Sequence, residues 1–84
     1  MSLFLGKRIR GLRRLKRFTQ QSMSEKIGIS VSMLSNIERG KKYPSYDLIA
    51  KIAKTLQVPQ EELFVLPVSE SNEEEALNIN SNMG

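Results

Sequence analysis

Between Gln20 and Arg39 the chain sets two short helical patterns around one tight, glycine-containing turn, and this spacing restricts the fold more than any other feature. Ser24 is small, Gly28 follows four positions later, and Leu34 stands six beyond that. Each has a geometric reason. Two helices that cross steeply through a short turn bring their backbones together, so the crossing needs a small side chain. The turn needs a residue at ease with positive φ. An aliphatic residue on the second helix anchors it inward and leaves its other face exposed.

The residues around this pair extend the helical pattern. Leu5, Ile9, Leu12 and Leu15 recur at helical spacing and predict an amphipathic helix from Leu5 to about Arg17, with a basic outer face that includes Arg10, Arg13 and Arg14. Thr19 is a good N-cap for the second helix, with Phe18 and Met23 placed as a hydrophobic staple. Ser30 caps a third helix, stapled by Ile29 and Leu34, turned inward by Leu34 and Ile37 and stopped by Gly40. Pro44 blocks continuation, and Ser45 caps a fourth helix with an apolar stripe of Leu48, Ile49, Ile52, Ala53 and Leu56. After Pro59 a short fifth helix carries Glu61 and Glu62 in its first turn, with Leu63, Phe64 and Leu66 closing the core. The expected class is all-α.

At 84 residues the chain suits one small domain, expected over residues 1–66. With no Cys and no His it has no disulfide framework and lacks the usual zinc ligands, so neither metal nor cofactor is expected. Its apolar start is too short for a signal peptide or a membrane span, so a cytoplasmic protein without a membrane partner is expected. Enzymatic chemistry is not expected either, because no nucleophile, acid–base pair or metal set stands out.

Charge is unevenly placed. All 13 lysines and arginines precede position 67, whereas residues 67–84 hold Glu70, Glu73, Glu74 and Glu75 and no base. The basic body suits a polyanionic partner. The Ser/Asn/Glu-rich tail over 67–84 is expected to be disordered, or to form a short helix against a partner, since Ser71-Asn72-Glu73-Glu74 resembles a capping box followed by Ala76, Leu77 and Ile79.

The outward face of the third helix is Val31, Ser32, Ser35 and Asn36, which is small, uncharged and mostly polar. Such a face fits the DNA major groove, where Asn and Ser read base edges and Val touches a thymine methyl. Gln20, Arg39, Lys41, Lys42 and Tyr43 stand around it as phosphate-contacting candidates. A solvated helical hairpin would show the same helix pattern; the flanking basic residues favour DNA.

Five stretches together resemble the Cro/C1-type (XRE-family) helix-turn-helix domain, over roughly Leu5 to Leu66. They are Gly6 to Arg13, Thr19-Gln20, Ile27 to Ser30, the signature from Ser35-Asn36-Ile37-Glu38-Arg39-Gly40 to Pro44-Ser45, and Leu48 to Leu56. The resemblance implies a five-helix, lambda-repressor-like domain that binds a pseudo-palindromic operator in double-stranded DNA as a homodimer. It implies a recognition helix from Val31 to Arg39. The family's DNA-contacting places fall on Gln20, Val31, Ser32 and Asn36, with phosphate contacts around Thr19, Arg39 and Lys41 to Tyr43. Arg13 and Glu38 correspond to a buried structural ion pair. Two departures carry physical consequences. Ser24 stands where Ala is common, so its hydroxyl must bond a carbonyl about one turn back. Arg17 stands where many members have Gly, so it takes a left-handed strain of about 1 kcal/mol or the helix ends differently.

The expectation is a transcriptional regulator, specifically a repressor. The alternatives are an antitoxin or restriction-system controller of the same fold, and an interaction module whose helix-turn-helix binds a protein rather than DNA; for the regulator, control through its concentration or a regulatory protein partner is expected. Dimer contacts are expected from the fifth helix and the segment after Pro67, because Leu66, Val68, Leu77 and Ile79 lack an assigned core.

Overall fold

The computed structural model describes residues 2–65, with side chains from Phe4 onward. The tail assignments, and Leu66, Val68, Leu77 and Ile79 as dimer contacts, lie outside the described residues. The described chain runs α1 (Ser2–Leu15), α2 (Gln20–Ile27), α3 (Val31–Glu38), α4 (Tyr46–Leu56) and a 3-10 helix (Gln60–Phe64), with no strand among the described residues. None of these helices is long and apolar enough to cross a membrane.

Hydroxyl caps start three of the helices. Thr19 Oγ1 accepts from Ser22 N at 2.9 Å, and Ser22 Oγ accepts from Thr19 N at 3.0 Å, a reciprocal capping box. Ser30 accepts from Met33 N at 3.0 Å and Ser45 from Leu48 N at 3.2 Å. Each satisfies an N–H that the helix geometry leaves unpaired, worth about 1 kcal/mol. Isolated two-turn helices are marginal in water, so α2 and α3 at eight residues each depend on packing as well as caps.

That packing is a single core. Leu5, Ile9 and Leu12 of α1 meet Met23, Ile27, Leu34, Ile37, the α4 stripe Ile49, Ile52, Ala53 and Leu56, and Leu63 of the 3-10 helix. Phe18 and Ile29, the residues before two of the caps, pack half-buried against it with Met33, Leu48 and Val58. At the helix crossing Ser24 is buried, and its hydroxyl donates to the Gln21 carbonyl at 2.9 Å.

Four details differ from the sequence expectation. Phe64, expected to close the core, is 47% exposed, because its neighbour Leu63 takes the one inward place and Phe64 lies about a third of a turn further round the 3-10 helix. Helix α1 starts earlier and stops at Leu15, because Arg17 adopts φ 67° and turns the chain left-handed. Leu15 is 73% exposed rather than inward. At about 100° per residue it lies roughly a quarter turn from the Leu5–Ile9–Leu12 line, and the core leans the other way, toward buried Arg13. The fifth helix is a single 3-10 segment, closed by Glu62 N donating to the Pro59 carbonyl at 2.9 Å.

Candidate nucleic-acid interface

Arg13 and Glu38 are 7% and 1% exposed, and no charge could stay there unpaired. Arg13 Nε donates to Glu38 Oε2 at 2.6 Å and Nη2 to Oε1 at 3.1 Å, while Nη1 donates to the Phe18 carbonyl at 2.9 Å. Gln20 Nε2 adds a third bond to the carboxylate, to Oε1 at 3.0 Å. One fork-shaped guanidinium thus joins α1, the α1–α2 turn and the last turn of α3, and Gln20 brings in the first turn of α2. No buried side-chain nitrogen or oxygen among the described residues lacks a hydrogen-bond partner.

The same end of α3 is held from a second direction. Gly6 is buried in α1, and a Cβ there would come within 3.0 Å of the carbonyl oxygens of Ile37 and Glu38. The close approach of α1 to α3 therefore requires glycine, which otherwise costs a helix interior up to about 1 kcal/mol. In the sequence Gly6 stands out only as part of the family-like run, and its signal is a glycine inside an amphipathic helix, where none is needed for a turn.

With its inner face fixed, α3 presents Val31 at 41% exposure and exposed Ser32, with Ser35 and Asn36 half-buried beside them. Met33 packs against the core instead. Spacings of one and four residues put Val31, Ser32, Ser35 and Asn36 on adjoining strips of one face. At its C-terminal end Lys41 N and Lys42 N both donate to the Asn36 carbonyl, at 2.8 and 3.3 Å. These bonds fold the α3–α4 loop back on the helix and set the exposed Lys41, Lys42 and Tyr43 beside it. Thr19 is exposed and Gln20 half-buried at the α2 N-terminus, whose free N–H groups and dipole suit an anion.

Two exposed contacts have no counterpart in the sequence reading. Arg39 Nη2 donates to Asn36 Oδ1 at 3.2 Å. Arg8 bridges to the 3-10 helix, with Nε on the Glu62 carbonyl at 2.8 Å and Nη2 on Glu62 Oε1 at 2.9 Å. An open cleft of about 560 Å³ lies between α2 and α4, with Lys26, Lys51 and Lys54 over Phe18 and Ile27, and no α3 residue lines it. The outward feature of α3 is thus a convex, uncharged helix face between polar and basic flanks, shaped to enter a groove rather than to enclose a small molecule.

Comparison with known proteins agrees with this geometry. A helix-turn-helix family model (HTH_3) matches residues 9–63. The HTH-type transcriptional regulator YazB of Bacillus subtilis is 45% identical over 58 residues, covering 69% of this chain and 84% of YazB. An HTH-type transcriptional regulator of Mycobacterium tuberculosis is 38% identical over 60 residues; there the match covers 71% of this chain but only 43% of that protein. Among solved structures, the restriction-modification controller protein C.AhdI of Aeromonas hydrophila superposes with a TM-score of 0.72 at 31% identity, covering 74% of this chain and 94% of the controller. The chain belongs to the helix-turn-helix (HTH_3) family of DNA-binding transcriptional regulators.

Proposed function

We propose that this protein is a cytoplasmic repressor that binds a pseudo-palindromic operator as a homodimer, laying α3 in the major groove of each half-site. Val31, Ser32, Ser35 and Asn36 meet base edges; Thr19, Gln20, Arg39, Lys41, Lys42 and Tyr43 meet phosphates. The observation that carries this is the division of α3: Leu34, Ile37 and Glu38 are buried and tied down, while the four base-reading candidates stand outside the core. Gln20 contributes its second N–H and its carbonyl, since one donor is committed to Glu38. No catalytic step is assigned; the sequence contains neither His nor Cys.

The homodimer is favoured by three exposed large apolar side chains, one early in α1 and two at the end of the 3-10 helix. Phe4, Phe64 and Val65 are 44%, 47% and 43% exposed. Phe4 lies one turn before Arg8, and Val65 three residues after Glu62, so they flank the Arg8–Glu62 bridge. Similarity to C.AhdI favours, as a second reading within the same chemistry, control of a restriction-modification system.

Selection of bound sequences from a random duplex pool tests the whole. A two-fold symmetric consensus with half-sites about one helical turn apart is expected. Binding that shows no sequence preference at any salt concentration would overturn base reading, and a single unrepeated half-site would overturn the homodimer.

A further inference from the structure

Arg39 touches Asn36 on the outward face, and the chemistry of that contact fixes which way the amide points. A guanidinium has five donors and no acceptor. The atom of Asn36 that faces Arg39 Nη2 at 3.2 Å must therefore be the carbonyl oxygen Oδ1, which leaves Nδ2 on the other side. Arg39 follows Asn36 by one turn and caps α3, with its own N–H on the Ser35 carbonyl at 3.0 Å, so the guanidinium is held near the helix end.

We propose that Arg39 is a positioning residue that locks the Asn36 amide in the orientation selecting adenine over guanine. This rests on the reading that α3 lies in the major groove. Adenine offers an acceptor at N7 and a donor at N6, whereas guanine offers acceptors at both N7 and O6. With Oδ1 pinned, Asn36 accepts from adenine N6 and donates to N7. Guanine would set O6 against Oδ1, two acceptors face to face. An amide released from Arg39 can instead swing until Nδ2 alone faces the base and its two N–H groups donate to N7 and O6, so guanine is tolerated. The guanidinium also polarises Oδ1, which favours a fixed amide over a rotating one.

The test uses the full chain and a duplex carrying the sequence enriched from a random pool. Asn36→Ala first locates the base pair whose preference it relaxes; an unchanged profile would end the base-reading role of Asn36 and the positioning role with it. At that pair, A·T and G·C duplexes are then compared for the parent, Arg39→Ala and Arg39→Lys. The parent is expected to prefer A·T by roughly tenfold or more, and Arg39→Ala by less than about threefold. Lysine keeps the charge and N–H donors but not the fork, so Arg39→Lys is expected to show an intermediate preference and a smaller loss of affinity than Arg39→Ala. In an Asn36→Ala background Arg39→Ala is expected to change the preference no further. If Arg39→Ala weakens both duplexes equally while Asn36→Ala still relaxes the profile, Arg39 is a phosphate contact alone and the proposal fails. Arg39 is exposed, so thermal melts of both variants are expected to match the parent.

Discussion

Gly6 of α1 and Glu38 of α3 meet backbone to backbone, with no room between them for a methyl group. Gly6→Ala must push the helices apart at the point where Arg13 reaches Glu38. Overpacking of this kind costs about 1–3 kcal/mol, and the neighbouring ion pair raises the stakes. Chemical denaturation is expected to show a loss in that range. A variant as stable as the parent would mean that α1 can slide without disturbing α3.

Glu38→Ala strands Arg13 in the core and removes the partner of Gln20. Breaking one side of a buried pair typically costs about 3–5 kcal/mol, a large part of the stability of a domain this small. The expected outcome is a domain largely unfolded at 37 °C by circular dichroism; an unshifted melting curve would show that the pair contributes little.

Replacing Arg17 by Gly relieves a non-glycine residue held at φ 67°. The left-handed conformation costs an ordinary residue roughly 1 kcal/mol, partly offset by the greater freedom of glycine in the unfolded chain. A net gain of up to about 1 kcal/mol is expected from urea unfolding. Arg17 carries no hydrogen bond from its side chain among the described contacts, so a loss of stability would point to a role for its charge.

Lys41→Ala removes an exposed charge from a loop whose backbone is tied to Asn36. Affinity is expected to fall on every duplex alike, and the slope of log affinity against log salt to shrink by about one. Altered base preference with an intact slope would reassign Lys41 from phosphate to base.

Phe64→Glu replaces an exposed apolar side chain at the end of the 3-10 helix with a charge. Sedimentation is expected to show the monomer, and footprints to weaken at both half-sites together. A variant that still sediments as a dimer would move the interface elsewhere.

The helices were legible because their starts are written in single residues. Thr19, Ser30 and Ser45 each cap where a hydroxyl precedes an apolar run, and Gly28 at φ 88° turns where it stands. The outward face of α3 was legible for the complementary reason: Leu34 and Ile37 fix which side faces in. What periodicity could not give was the sidedness of α1. Leu15 completes an apolar spacing yet lies outside, because buried Arg13 draws the core toward its own side. An arginine reads as surface until its carboxylate partner, 25 residues away, is brought beside it. Gln57 likewise ends α4 at φ 60° without the glycine that usually marks such a stop. Side-chain relations within the interface, above all Arg39 on Asn36 and Gln20 on Glu38, depend on rotamers that spacing alone leaves open.

The partition of α3 has an evolutionary corollary. Residues 31, 32, 35 and 36 contribute nothing to the buried cluster that stabilises the domain. Substitutions outside the core usually change stability by less than about 0.5 kcal/mol. A lineage can therefore rewrite the address it reads, one outward residue at a time, without passing through an unfolded intermediate. Duplicated copies of such a gene are free to diverge toward separate operators while keeping one scaffold, and the same freedom makes α3 a tractable place to install a chosen preference by design.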